Sequence, residues 1–203
     1  MADQTKFERQ NGRYKADITA GSLKLLESKR IADLLLQGVD AQGWNEAIVT
    51  QNILQIKSPA TAKRMASMIR ARLAGMGPEL WKLVRDGNGS VVAQAVFAAA
   101  VKHSPLLGDF VGGVVKEHYR TFEKALSHRA FDNYLDACRS RDQDMPEWNE
   151  ATRLRLRSSI FQMLAQAGYI ENTSSLKLMS VHLSERLLSY LKENHEEYVL
   201  KSM

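Results

Sequence analysis

Cysteine is nearly absent from the sequence, and neither cysteine nor histidine recurs at metal-ligand spacing. Cys138 is the single cysteine among 203 residues, so an intrachain disulfide is excluded and a reducing compartment is expected. The five histidines are scattered along the chain, and none has a partner at ligand spacing. We therefore expect neither a metal site nor a cofactor.

Catalytic motifs are missing as well. The stretch Gly87-Asn88-Gly89 lacks the Lys-Ser/Thr pair and the preceding strand of a phosphate-binding loop, and we interpret it as a turn. No Gly-x-Ser-x-Gly motif is present. Cys138 lies on the apolar side of a predicted helix, where a buried thiol is commoner than a nucleophile. The sequence predicts a protein that is not an enzyme and has no small-molecule substrate.

Long hydrophobic runs are also lacking. The most apolar stretch, VVAQAVFAAAV (91–101), has eleven residues, whereas a membrane-spanning helix needs about 20. Charged residues and Pro105 follow it, and the first residues of the sequence contain no apolar core of a signal peptide. We interpret the stretch as a buried core helix and expect a cytoplasmic protein without membrane contact.

The dominant pattern in the sequence is the periodicity of α-helices. Apolar residues recur at three- and four-residue steps, which is typical of amphipathic helices. The predicted helices are 20–37, 44–51, 58–74, 78–84, 90–103, 105–120, 127–139, 149–167 and 184–191.

Near the C-terminus the pattern changes. Tyr169-Ile170, a polar turn at 171–175 and alternating residues from Leu176 to Leu183 together predict a small β-hairpin. Helix, hairpin and helix together are typical of a winged-helix-like module, although a hairpin that only caps a helical core would give the same pattern.

These segments predict a mainly α-helical, multi-helix globular bundle with a small C-terminal hairpin. The predicted organisation is a flexible N-terminal arm (1–16), a helical domain (17–145), a helix-hairpin-helix module (146–193) and a C-terminal tail (194–203).

Positive charge is concentrated between Lys57 and Ala74. This segment begins with Ser58-Pro59, a typical helix start. It carries five Lys/Arg and no acidic residue, a charge of +5 that equals the formal excess of the whole chain. An apolar stripe at helical spacing comprises Ala62, Met65, Ile69, Leu73 and Met76. The opposite face comprises Lys63, Arg64, Ser67, Arg70, Ala71 and Ala74. A solvated helix usually mixes both signs of charge, so we predict that this face binds an anion.

A second basic run, Arg153, Arg155 and Arg157, also lies in an acid-free interval. Arg155 shares a polar face with glutamines, whereas Arg157 projects toward the apolar side, where a structural arginine is the favoured interpretation. The candidate nucleic-acid contacts are Lys63, Arg64, Ser67 and Arg70, with Lys57, and in second place Arg153 and Arg155.

Taken together, six sequence blocks resemble the BrxA family of bacteriophage-exclusion (BREX) defence systems. The blocks are ADITAGSL (16–23), ESKRIADLLL (27–36), SPATAKRM (58–65), ELWKLVRDG (79–87), KHSPLLGDF (102–110) and MPEWNEATRLRLRSSIFQMLAQAGYI (145–170). The resemblance implies a bacterial phage-defence role beside a DNA methyltransferase, an ATPase and other components. It also implies a mostly helical, non-enzymatic protein that is similar to NusB-like nucleic-acid-binding folds. It supplies no catalytic motif, so the candidate residues rest on charge geometry alone.

Spaced phosphates suit cations that are distributed along a helix, and we therefore predict binding of double-stranded DNA through its backbone. A short helix, a connection and a basic helix resemble a helix-turn-helix, although the connection is longer than usual. The alternative is an assembly adaptor whose basic helix docks on an acidic protein partner, for example another BREX component.

Overall fold

Residues 12–19 and 22–203, which the computed structural model describes, form helices joined mostly by short connections. The α-helices are α1 (Leu25–Gln37), α2 (Ala41–Asn45), α3 (Pro59–Ala74), α4 (Pro78–Asp86), α5 (Gly89–His103), α6 (Pro105–Asp109), α7 (Lys116–Arg120), α8 (His128–Arg141), α9 (Glu150–Gln166), α10 (Glu185–Glu193) and α11 (Glu197–Ser202). A π-helical turn, Glu46–Thr50, continues α2, and another, Phe110–Val115, joins α6 to α7. The predicted mainly helical class is confirmed.

Helix α5 lies at the centre of the core. Every residue from Val92 to Val101 is buried, and α1, α3, α4, α6, α10 and α11 all pack against this helix. Phe97 is fully buried, and its ring centroid lies 5.2 Å from that of Tyr169. The stretch that the sequence marked as most apolar is therefore a core helix, as predicted.

Most helices begin where the capping residues indicated. The Ser58 hydroxyl accepts a hydrogen bond from the Thr61 N–H (3.4 Å), and the Asn149 side chain accepts one from the Thr152 N–H (2.9 Å). These contacts satisfy N–H groups that have no partner within the helix. Helix α1 differs, because it begins at Leu25, directly after Lys24 in a left-handed conformation (φ 57°).

The glycines of the α6–α7 region allow α11 to approach closely. A Cβ on Gly108 would overlap the hydroxyl of Tyr198, and one on Gly112 would come within 3.2 Å of the Ser202 Cα. A side chain at either position would push α11 away. Residues 194–203, which we expected to be a tail, contain this helix, and its Val199 is fully buried.

The predicted C-terminal β-hairpin has no regular strands in the described part of the chain; across its predicted turn only an isolated bridge forms, between Ile170 and Leu178. The segment 176–179 instead divides its backbone hydrogen bonds between two neighbours, 124–126 and 169–171. Isolated bridges pair Lys177 with Ala125 and Leu178 with Ile170.

The second half of the predicted hairpin is held by a side chain of α5. Buried Gln94 donates to the His182 carbonyl (2.9 Å) and accepts from the Ser184 N–H (2.9 Å). These bonds attach the segment that precedes α10 to the core. The winged-helix interpretation loses its support with the hairpin.

Part of the predicted flexible arm, residues 1–11, lies outside the described residues. The rest of it is fixed by Asp109 at the end of α6. Tyr14 is buried and donates its hydroxyl to the Asp109 carboxylate (2.9 Å), and the Arg13 guanidinium donates to the same carboxylate over distances of 2.9–3.1 Å.

Within residues 12–19 and 22–203, no single helix is long and apolar enough to cross a membrane. Helix α5 and the run from Pro105 to Arg120 meet those criteria only as a pair, and this pair is bent by 108°.

The position of the core predicts a large effect of truncating Phe97. We expect Phe97→Ala to lower the free energy of unfolding by about 3–5 kcal/mol, through lost burial and a residual cavity. Phe122→Ala is the matched control, because this ring is 90% exposed and surface substitutions change stability by about 0.5 kcal/mol or less. Denaturant titrations of both variants measure the difference, and equal midpoints would show that the core is misplaced.

Candidate nucleic-acid interface

Helix α3 turns two different faces to the protein and to solvent. Its apolar stripe faces α1 and α5, and Ala62, Ile69, Leu73 and the following Met76 are buried while Met65 is half-buried. The opposite side, which we call the outer face, is exposed and comprises Lys63, Arg64, Ser67, Arg70, Ala71 and Ala74. The division of faces predicted from the sequence is therefore confirmed.

The cations of the outer face have no acidic partner in the described part of the chain, in contrast to six arginines elsewhere. Lys63, Arg64 and Arg70 form no ion pair with any carboxylate of residues 12–19 and 22–203. Elsewhere, arginines pair with carboxylates at Arg13–Asp109, Arg85–Asp33, Arg85–Asp86, Arg120–Glu117, Arg139–Glu147, Arg153–Asp136 and Arg157–Asp132. Positive charge on the outer face is thus left available to an external anion.

Small residues separate these cations. Ala60 at the start of α3 is exposed, as are Ser67, Ala71 and Ala74 on the outer face. None of these side chains extends beyond a hydroxymethyl group, so a flat or convex partner can approach the helix backbone. Lys57, in the connection that precedes α3, is also exposed and adds a cation at the same end of the helix.

Arg70 has an aromatic neighbour that the sequence did not reveal. Its guanidinium carbon lies 4.6 Å from the ring centroid of Trp44, a cation–π distance. Trp44 is half-buried and packs against the core from α2. The two residues are 26 positions apart, so no local sequence pattern connects them.

Arg72 does not belong to the exposed charge, although the sequence count of +5 included it. The side chain is 2% exposed and donates to the Ser22 carbonyl (3.3 Å). Burial lowers the pKa of this guanidinium, and the charge of Asp17 opposes that effect. Asp17 is itself partly buried, so the pKa of its carboxyl is raised, and the Ser104 hydroxyl donates to it (2.9 Å). The exposed cations of segment 57–74 are therefore four: Lys57, Lys63, Arg64 and Arg70.

The second basic run divides into different roles. Arg153 is half-buried and pairs with Asp136 of α8 (2.9 Å), and Arg157 pairs with Asp132 of the same helix (2.8 Å). The structural interpretation of Arg157 is confirmed, and Arg153 has a similar contact. Arg155 is exposed and forms no ion pair in the described part of the chain.

A sequence signal for these two pairs existed but was missed. Asp132 and Asp136 are four residues apart on α8, and Arg153 and Arg157 are four apart on α9. Equal spacing of opposite charges on two packed antiparallel helices places both pairs in register. This pattern indicates a bracing contact between helices rather than a binding surface.

The described residues also offer no candidate metal site. Over 12–19 and 22–203, no group of three or more His, Cys, Asp or Glu side chains is arranged to hold a metal ion.

Comparison with known proteins gives consistent similarities over most of the chain. The sequence model of the BrxA family matches residues 12–195. The BREX protein BrxA of Paramagnetospirillum magneticum is 50% identical over 189 residues, which cover 93% of this chain and 95% of that protein. The BREX protein BrxA of Escherichia coli O9:H4 is 33% identical over 167 residues, covering 82% of this chain and 78% of that protein.

A solved structure is similar as well. A crystal structure of an uncharacterized protein from Magnetospirillum magneticum superimposes with a TM-score of 0.88 and is 48% identical in sequence. The match covers 94% of this chain and 97% of the other chain.

The ion pairs between α8 and α9 predict a structural role for Arg157. In a double-mutant cycle of Asp132→Asn and Arg157→Gln, we expect a coupling energy of about 0.5–1 kcal/mol in the free energy of unfolding. The control cycle, Glu117→Gln and Arg120→Gln, removes a longer pair (3.6 Å) that is more exposed, and its coupling should be smaller. Denaturant titrations measure both cycles; equal coupling would contradict a bracing role.

Proposed function

Because this chain belongs to the BrxA family, we propose that it serves bacteriophage-exclusion (BREX) defence by binding duplex DNA through backbone phosphates. It acts in the cytoplasm, where bacterial DNA lies, as a binding protein and not as an enzyme. The observation that carries this proposal is the outer face of α3, an exposed and acid-free cationic surface.

The distribution of charge supports a polyanion over a single acidic group. Lys63 and Arg70 are seven residues apart, which corresponds to about 10 Å along the helix axis. Duplex DNA carries one negative charge per about 1.7 Å of its own axis, so a stretch of this length presents about six phosphates. Several cations can therefore engage at once, whereas an isolated carboxylate would satisfy only one of them.

The charge at the N-terminal end of α3 also favours binding of an anion. Its first turn contains no acidic residue, and Lys57 precedes it. The N-terminal end of a helix carries partial positive charge, which favours anions and is partly offset in many helices by Asp or Glu. No acidic residue in the first turn of α3 offsets this partial charge, so the helix end and the basic side chains both favour an anion.

The residues of α9 contribute less. Arg155 is exposed and is assigned a secondary phosphate contact. Arg153 would first have to leave Asp136, and the loss of that ion pair would oppose its contact with DNA. We therefore rank Arg155 above Arg153, and both below the outer face.

The decisive variant replaces Lys63, Arg64 and Arg70 with Gln. The fold should survive, because these side chains are exposed and Gln retains a high helix propensity. Affinity for duplex DNA should fall by a similar factor on unrelated sequences, since phosphate contacts carry no base information. The slope of log K against log salt should become shallower by about 0.9 for each phosphate that the variant no longer neutralises. Gel shifts over a range of salt concentrations measure both quantities.

A control variant, Lys124, Arg129 and Lys177 to Gln, removes the same charge from other exposed positions. It should keep nearly the affinity and the salt slope of the parent. If the outer-face variant also keeps them, α3 is not the DNA surface. If the parent shifts neither duplex DNA, single-stranded DNA nor RNA, the outer face docks on an acidic protein partner instead.

A further inference from the structure

Among the three cations of the outer face, Arg70 alone has an orienting neighbour in the described part of the chain. Its guanidinium carbon lies 4.6 Å from the Trp44 ring centroid. Lys63 and Arg64 have neither a carboxylate nor an aromatic ring as partner among residues 12–19 and 22–203. The side chain of Arg70 is thus restrained, while those of the other two remain free to rotate.

Trp44 is a firm support for such a contact. It lies in α2, where its backbone N–H donates to the Asp40 carbonyl (2.9 Å) and the Asp40 carboxylate accepts from the Gly43 backbone N–H (2.7 Å). Its side chain is half-buried against the core. The ring is therefore fixed by the fold, and Arg70 adapts to it.

The planar geometry of the guanidinium determines which contacts Arg70 can make while it lies over Trp44. Stacking on an aromatic ring uses the face of the guanidinium, whereas its N–H groups point outward in its plane. Those N–H groups can still bind two oxygens of one phosphate group at once. A lysine ammonium is a compact charge with no plane, so it cannot stack and bind two oxygens in a fixed geometry.

We propose that Trp44 is a positioning residue that holds Arg70 for a two-oxygen contact with one phosphate diester of duplex DNA. This inference rests on the proposed function and adds to it. The outer face then contains one oriented phosphate contact, at Arg70, beside two flexible cations that supply charge. Ordering of Arg70 before binding reduces the side-chain entropy that is lost in the complex.

The first experiment compares arginine-to-lysine changes at two positions on the same helix. Both Arg70→Lys and Arg64→Lys preserve charge, so any difference between them reports geometry. We expect Arg70→Lys to weaken duplex DNA binding about twofold to fivefold, the lower part of the range that the ordering of one side chain costs on binding. Arg64→Lys, the matched control, should stay within about twofold of the parent, because a flexible cation acts mainly by its charge.

The second experiment varies the ring. Trp44→Phe keeps an aromatic face and should keep most of the affinity, whereas Trp44→Leu keeps only apolar packing and should bind as weakly as Arg70→Lys. The combined Trp44→Leu and Arg70→Lys variant should bind no more weakly than either change alone. Thermal melts of the variants check that α2 remains folded; if Trp44→Leu unfolds, the lysine comparison decides by itself.

Each other outcome overturns a defined part of this inference. If Arg70→Lys binds like the parent while the triple Gln variant is weak, DNA binding stands and the oriented contact is wrong. If the two changes add, and Trp44→Leu weakens single-stranded DNA more than duplex, Trp44 stacks on a base and does not position Arg70. If the triple Gln variant binds like the parent, the proposed function fails and this inference fails with it.

Discussion

Burial of α5 on all sides is the constraint on which the rest of the structure depends. From Val92 to Val101 every residue of this helix is buried, so other parts of the chain must cover it in every direction. An amphipathic helix that packs against such a centre has only one orientation that buries its apolar stripe. For α3 this orientation places Ala62, Ile69 and Leu73 inward and forces the cationic residues outward. The core therefore decides which way the candidate interface points, even though none of its own residues belongs to that interface.

Carboxylates and cations are not distributed evenly over this framework. Asp132 and Asp136 brace α8 against α9, and Asp109 fixes the start of the described chain through Arg13 and Tyr14. These acidic residues neutralise arginines that join one element to another. The outer face of α3 has no such partner among residues 12–19 and 22–203, and the sequence contains no acidic residue between Glu46 and Glu79. The positive charge that the folded protein presents there follows from where its acidic residues lie as much as from where its basic ones lie.

Much of this could be predicted from the sequence, since helix caps and three- and four-residue periodicity are local. They placed α3, α5 and both faces of α3 correctly. The predictions that failed depended on contacts between residues that lie far apart in the sequence. The segment 176–179 divides its backbone hydrogen bonds between 124–126 and 169–171, which leaves isolated bridges in place of the expected hairpin strands. Arg72 is buried and donates to the Ser22 carbonyl, although its position in the sequence resembles that of the exposed cations. Neither contact leaves a pattern within a window of neighbouring residues.

The charged side chains of the outer face are also not the source of the stability of α3. Like charges on one helix face repel each other and weaken an isolated helix. Helix α3 tolerates this because its stability has other sources: the Ser58 cap, several alanines and an apolar stripe buried against α1 and α5. A phosphate backbone would relieve the repulsion without disturbing any of these contacts. Binding and folding are therefore separable at this site, except at Arg70, where Trp44 connects the outer face to a side chain that packs against the core. That connection makes the geometry of one contact depend on the fold, whereas Lys63 and Arg64 depend only on the direction in which α3 faces.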